Sequence, residues 1–166
     1  MNKKERKHSF EEGFTLIELL IVILIIALLS GLSLNLYKGM RQKAMAAEVY
    51  IHCGAIAKGI HVMEIDTGFW PGHTPAGTTS SPENEIEDLR IGRAGLLIDD
   101  PNDPYPDWAG PYIDEIYQDP WVNNYFYDSD YYINGKKVAV IGSYGPNGEG
   151  LNQYDEDDIY VILSTD

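Results

Sequence analysis

Residues 14–34 are almost wholly apolar and hold one charge, Glu18, near their start. From Leu19 to Leu29 the apolar run is unbroken. As a helix this stretch measures roughly 30 Å at ~1.5 Å per residue, about the thickness of a bilayer core. Such a helix needs lipid or other helices around it. Glu18 also needs an answer, because an ionised carboxylate in hydrocarbon costs roughly 2.5–3.5 kcal/mol. The nearest candidate cation is an α-amino group at Phe14, created if the chain is cut after Gly13. A secretory signal peptide does not fit: no small-x-small cleavage site follows a short apolar core, and the cut would precede the apolar run.

No proline occurs between Phe14 and Thr67. Beyond the apolar half (14–37), Ala46, Val49, Cys53, Ile56, Ile60 and Met63 recur at alternating spacings of three and four. That pattern predicts one amphipathic face over 38–67, with Glu48, His52 and Lys58 turned away. The helix should stop near Asp66-Thr67-Gly68, with Gly68 past its end and Pro71 soon after. Fifty-odd helical residues make a rod of roughly 75–80 Å. Gly31 and Ser33 are small enough to let neighbouring helices approach closely.

Residues 68–124 read as loop-rich. Pro71–Asn84 is irregular, and 85–98 is expected to form a short helix with Leu89, Gly95, Leu96 and Leu97 inward. Asp99–Pro106 reads as surface loop. Residues 125–166 read as a sheet. Tyr125–Ile133 and Lys136–Ile141 flank Asn134-Gly135, the strongest short hairpin signal, and Ile159–Leu163 gives a third strand. The expected fold class is α+β: one long helix packed on one face of a small C-terminal antiparallel sheet.

The chain carries 26 acidic against 12 basic residues, a formal net charge of −14. That surface repels phosphate backbones, which argues against nucleic acid, and it invites divalent cations. Cys53 is the only cysteine, so no intrachain disulfide forms. Its place on the apolar stripe suits an inert buried thiol. His61 and Glu64 lie three apart, but two ligands make a poor zinc site. Asp128 and Asp130 flank Ser129 on one side of a strand. The expected use is solubility of an edge strand, with paired-carboxylate chemistry as the alternative. No phosphate loop or nucleophile elbow appears, and no enzyme activity is expected.

The segment Gly13-Phe14-Thr15-Leu16-Ile17-Glu18, behind the basic leader residues Lys3, Lys4, Arg6 and Lys7 and ahead of the apolar run, resembles the prepilin-type N-terminus of type IV pilins and type II secretion pseudopilins. The resemblance implies a pilin-like fold, a leader (1–13) removed by a prepilin peptidase between Gly13 and Phe14, and N-methylation of Phe14. It implies that Glu18 pairs with the Phe14 ammonium of a neighbouring subunit during assembly. Asn35 stands where that family often has proline.

Trp108-Ala109-Gly110-Pro111-Tyr112-Ile113, followed by Asp119-Pro120-Trp121, resembles the connection of the major pseudopilin, with Val122 and Asn124 in place of its Gly and Pro. These aromatics are expected to plug the core. Gly142–Gly150 and Asp155–Asp158 resemble that family's calcium loop. Ser143, Asn147 and Asp158 fall on the pattern, Asp155 and Asp157 stand beside it, and Asn147 replaces an acid. Calcium is the implied cofactor, and a solvated acidic turn is the alternative.

The resemblance therefore implies a filament subunit in a protein-export machine. Its partners would be copies of itself, minor pseudopilins, the peptidase and an inner-membrane assembly platform. The chain would cross the inner membrane once, with its C-terminal part in the periplasm. A type IV pilin or minor pilin remains a rival, as does a membrane-anchored enzyme or ligand-binding domain.

Overall fold

The computed structural model describes residues 13–79, 85–150 and 155–164, with only the backbone at 32–36 and 164. The leader before Gly13 and the Asn35 side chain lie outside the described residues. The chain divides into two compact units, Met1–Gln42 and Lys43–Asp166.

Helix α1 covers Leu16–Thr67, 52 residues. In the first unit its described apolar side chains are all exposed, from 48% at Ile21 to 83% at Leu16. Among the described residues no helix is long and apolar enough to cross a membrane. The described apolar stretch, Leu16 to Gly31, rises roughly 23 Å.

In the second unit the periodic stripe is the core. Val49, Cys53, Ile56, Ile60 and Met63 are at most 2% exposed. Glu48 and Lys58 face outward as expected. His52 differs: it is half-buried, with Nδ1 2.8 Å from the Tyr125 hydroxyl. Tyr125 is buried at the entry to the sheet, and a buried phenol needs a polar partner. The helix ends as its sequence indicates. Gly68 takes φ 77°, and its amide donates to the Glu64 carbonyl at 2.9 Å.

A short ladder follows, β1 (Phe69–Trp70) with β2 (Thr74–Pro75). The main sheet has three antiparallel strands in the order β3-β4-β5: β3 (Phe126–Ile133), β4 (Lys136–Ser143) and β5 (Ile159–Ser164). Asn134 and Gly135 turn the β3–β4 hairpin with φ 49° and 84°, the paired positive values that match strand twist.

The sheet buries both of its faces. Tyr127, Ala139 and Ile141 join the helix core, while Phe126, Tyr131, Val138 and Val140 form a second cluster. Tyr144 stacks on Phe126 at 4.3 Å and Tyr160 lies on Tyr131 at 4.9 Å, so aromatic rings cover that other cluster.

The expected helix at 85–98 is absent. Ile86 bridges to Tyr127 through two 2.8 Å hydrogen bonds, and only Gly92–Ala94 makes a 3-10 turn. Gly95 takes φ 71°, where an added Cβ would lie 2.7 Å from Met63 and Tyr105. The inward residues are still the expected ones, with Leu89 and Leu96 fully buried.

A second expectation is corrected: Asp128 and Asp130 do not solubilise an edge. Both are 5% exposed. The ladder slips between Asp128 and Tyr131, and this bulge turns both carboxylates inward.

Val122 adopts φ 74° and is 70% exposed. A β-branched residue in the left-handed region is strained. Val122→Gly is therefore expected to stabilise the domain by about 1 kcal/mol, read as a rise of a few degrees in Tm. An unchanged or lower Tm would count against strain at this position.

Candidate functional site

The two sequence-indicated regions fall in different units. In the first, Thr15 sits just ahead of α1 and Glu18 lies in its first turn. The Glu18 carboxylate accepts from the Thr15 amide at 2.8 Å and the Thr15 hydroxyl at 2.7 Å. The Glu18 amide donates back to the Thr15 hydroxyl at 3.3 Å. This reciprocal pair is a capping box, which satisfies orphan amides at the helix start. Sequence reasoning missed it, although the Thr-x-x-Glu signal was present. Phe14 is 88% exposed beside it.

In the second unit, the β4–β5 loop brings three of five expected ligands together. The Asn147 amide nitrogen donates to Asp155 at 2.7 Å and to Asp157 at 2.8 Å. Its backbone amide donates to Asp157 at 3.1 Å. The Glu149 amide donates to Asn147 Oδ1 at 2.7 Å, which fixes the side-chain orientation. The contact between the two acids lowers the Asp155 pKa and raises that of Asp157. The group facing both carboxylates is thus an N–H donor, which does not ligate a cation. Among the described residues, Asn147 thus turns its N–H, not its oxygen, toward the two acids.

The other two expected ligands are engaged elsewhere. Asp158 accepts from the Tyr131 hydroxyl at 2.7 Å, and burial pushes its pKa up. Ser143 is fully buried; its hydroxyl donates to Asp119 at 2.5 Å and accepts from the Gly145 amide at 3.0 Å. Gly145, at φ 64°, lies so close to the Asp157 carbonyl that a Cβ there would collide with it.

Asp119, which sequence reasoning left among the plug aromatics, is a hub. It is 4% exposed and accepts from the Trp121 amide at 2.9 Å and the Asn123 amide at 2.7 Å, besides Ser143. The Asp-Pro-Trp turn is thereby tied to the end of β4. Trp108 and Trp121 pack on the core as the expected plug, with Trp108 Nε1 donating to the Gly95 carbonyl at 2.7 Å. Glu64 serves structure, accepting from Trp70 Nε1 at 3.0 Å and lying 3.1 Å from His61 Nδ1. Cys53 is fully buried, and burial, with Asp119 nearby, pushes its thiol up to about 12. A thiol of that pKa is not a nucleophile near neutral pH.

Residues 9–34 match the family model of the prokaryotic N-terminal methylation motif. Residues 92–161 match the model of type II secretion system (T2SS), protein G. The chain is thus similar at its start to proteins that carry the N-terminal methylation motif, and over 92–161 to type II secretion protein G.

Pilin-like relatives fall into two groups. A type IV major pilin of Neisseria gonorrhoeae is 31% identical over 80 residues, 48% of this chain and 37% of that pilin. A fimbrial protein of Neisseria meningitidis serogroup B is 32% identical over 46% of this chain and 45% of its own length. The chain thus spans less than half the length of these pilins. The type II secretion system core protein G of Vibrio cholerae serotype O1 is 26% identical over 148 residues, 88% of each chain. The fold is similar to that of the major pseudopilin from the type 2 secretion system of enterohaemorrhagic Escherichia coli. That likeness has a TM-score of 0.51 and 23% identity, covering 74% of this chain and 86% of that one.

Proposed function

We propose that this chain is a structural subunit of a type II secretion pseudopilus. One observation carries the reading: the likeness to a core protein G runs over 88% of both chains, whereas that to the gonococcal pilin covers 37% of the pilin. The role is mechanical, not catalytic. Cleavage between Gly13 and Phe14 frees an α-amino group, which is then methylated. The apolar half of α1 anchors the subunit in the inner membrane once, with the remainder in the periplasm. Assembly moves that helix from lipid into a bundle of like helices, an exchange nearly neutral in hydrophobic terms. Pairing of Glu18 with the neighbour's Phe14 ammonium then selects register. Head-to-tail contacts that do not close give an open helix. The peptidase, an inner-membrane platform and minor pseudopilins are the other partners. Growth of the fibre drives protein export across the outer membrane.

Deleting the gene in its host tests this. The expected result is exported protein trapped in the periplasm and restored by the intact chain. Normal export with loss of long surface fibres would instead support the pilin reading.

Calcium at the β4–β5 loop is proposed only in competition with the Asn147 amide. Asn147→Asp removes that donor and adds a carboxylate. The variant is expected to melt lower than the parent in chelator and to regain stability when calcium is added. A variant indifferent to calcium would end the proposal.

A further inference from the structure

In the second unit, helix α1 and the segment 113–117 enclose a groove of about 360 Å³, in the size class of clefts that bind ligands. Ile56, Ile113, Ile116 and Tyr125 line it with apolar surface, and the exposed carboxylates of Asp114 and Glu115 stand at its rim. Its mouth is apolar as well. Tyr117 is 60% exposed there, and Ile51, one helical turn before the lining residue Ala55, is 71% exposed. The Glu115 carboxylate accepts from the Tyr117 hydroxyl. Among the described residues the lining holds no lysine or arginine. An apolar cleft with an acidic rim fits an occupant that is apolar and basic together.

The chain itself carries such a segment. Lys38, Arg41 and Lys43 are all exposed, and no acid occurs from Leu19 to Ala47. Among the described residues none of the three forms an ion pair, whereas Arg90 and Lys137 do. Tyr37 and Met40 are 66% and 71% exposed. With Ala44 they recur at spacings of three and four, so they share one face of α1. At about 3.6 residues per turn, Arg41 and Lys43 fall on opposite sides of that apolar ridge. A chain cannot fill its own groove this way. Lys43 precedes His52 and Ile56 by roughly 13–20 Å along the same helix.

We propose that the basic ridge at 37–43 of one copy docks in the acid-rimmed groove of a second copy. This contact rests on the filament reading and names a surface for it. An apolar helix ridge laid in a groove is a recurring mode of recognition. Tyr37 and Met40 cover Ile113 and Tyr117, while Arg41 and Lys43 meet Asp114 and Glu115. The charges orient the approach and reject registers that would bring acid against acid. Ridge and groove are different surfaces, so each copy uses both, and the contact propagates along a fibre instead of closing a dimer.

The test uses the full chain, in fibres sheared from its host and in detergent. A chain carrying both Met40→Cys and Tyr117→Cys is expected to give a ladder of disulfide-linked copies when its fibres are oxidised. Neither single variant should give one. Glu115→Lys is expected to lower fibre yield tenfold or more with Tm in detergent unchanged, and Arg41→Glu added to it should restore most of the yield. Because the cross-link leaves both acids in place, it reports even if Glu115→Lys folds poorly. Fibres that form without the ladder overturn this contact and leave the filament reading standing. Parental yield in Glu115→Lys, or no recovery on adding Arg41→Glu, also overturns it. Loss of Arg41→Glu from the membrane would place the cations against lipid headgroups and overturn it as well. A parent chain that makes no fibres overturns the filament reading, and this contact with it.

Discussion

Glu18→Gln is expected to abolish fibre assembly while leaving the folded chain in the membrane. Glutamine separates the two roles open to Glu18. Its side-chain oxygen can still accept from the Thr15 amide, as the Glu18 carboxylate does at 2.8 Å. A capping box accepts Glu or Gln at this position, so the start of α1 survives. The charge does not. A carboxylate held in an apolar run costs roughly 2.5–3.5 kcal/mol. On the proposed reading a neighbour's ammonium recovers that cost only in the assembled fibre, and breaking a buried pair by removing one partner typically costs about 3–5 kcal/mol. At roughly 1.4 kcal/mol per tenfold, that is a loss of about two to three and a half orders of magnitude in subunit addition. Fibres counted by electron microscopy after shearing read the result. Assembly at the parental level in Glu18→Gln, with failure in Glu18→Ala, would reduce Glu18 to a helix cap.

The second large effect is expected at Asp119. Asp119→Ala removes the acceptor for three donors: the Trp121 and Asn123 amides and the Ser143 hydroxyl. Hydrogen bonds to a charged group contribute about 1.5–3 kcal/mol each, and stranding buried donors adds a desolvation cost. Some donors will find water, so the expected loss is about 3–5 kcal/mol, at the upper end for a single substitution. For a unit of this size that lowers Tm by roughly 15 °C. Asp119→Asn keeps one acceptor oxygen for the two amides and should cost less than half as much. Chemical denaturation of both variants checks the order. Equal, small losses would show that the Asp-Pro-Trp turn holds without its carboxylate.

Legibility followed periodicity. The helix stripe from Val49 to Met63 was readable because burial on one face repeats every three or four residues. The hairpin at Asn134-Gly135 and the limits of β3 to β5 were readable because turn chemistry is local. Residues 85–98 were not, because a bridge to Tyr127 and a left-handed Gly95 overrode a weak helical pattern. Asp128 and Asp130 misled for a related reason. A bulge is invisible to alternation counting, and it turned an apparently solvent-facing pair inward. Asp119 was hidden because a hub is defined by donors from distant chain segments. The family resemblance named five loop ligands, of which Asn147, Asp155 and Asp157 come together. It gave no sign that Ser143 would turn toward Asp119, or that Asp158 would meet Tyr131.

The central claim is that a cut after Gly13 creates the cation that lets Glu18 sit among apolar helices in a fibre. Intact-mass measurement of this chain in fibres sheared from its native host tests it most directly. The expected result is a dominant fibre component that begins at Phe14 and carries one added methyl group. Recovery of the chain only from membranes, with residues 1–13 still attached and none in the fibres, would contradict it.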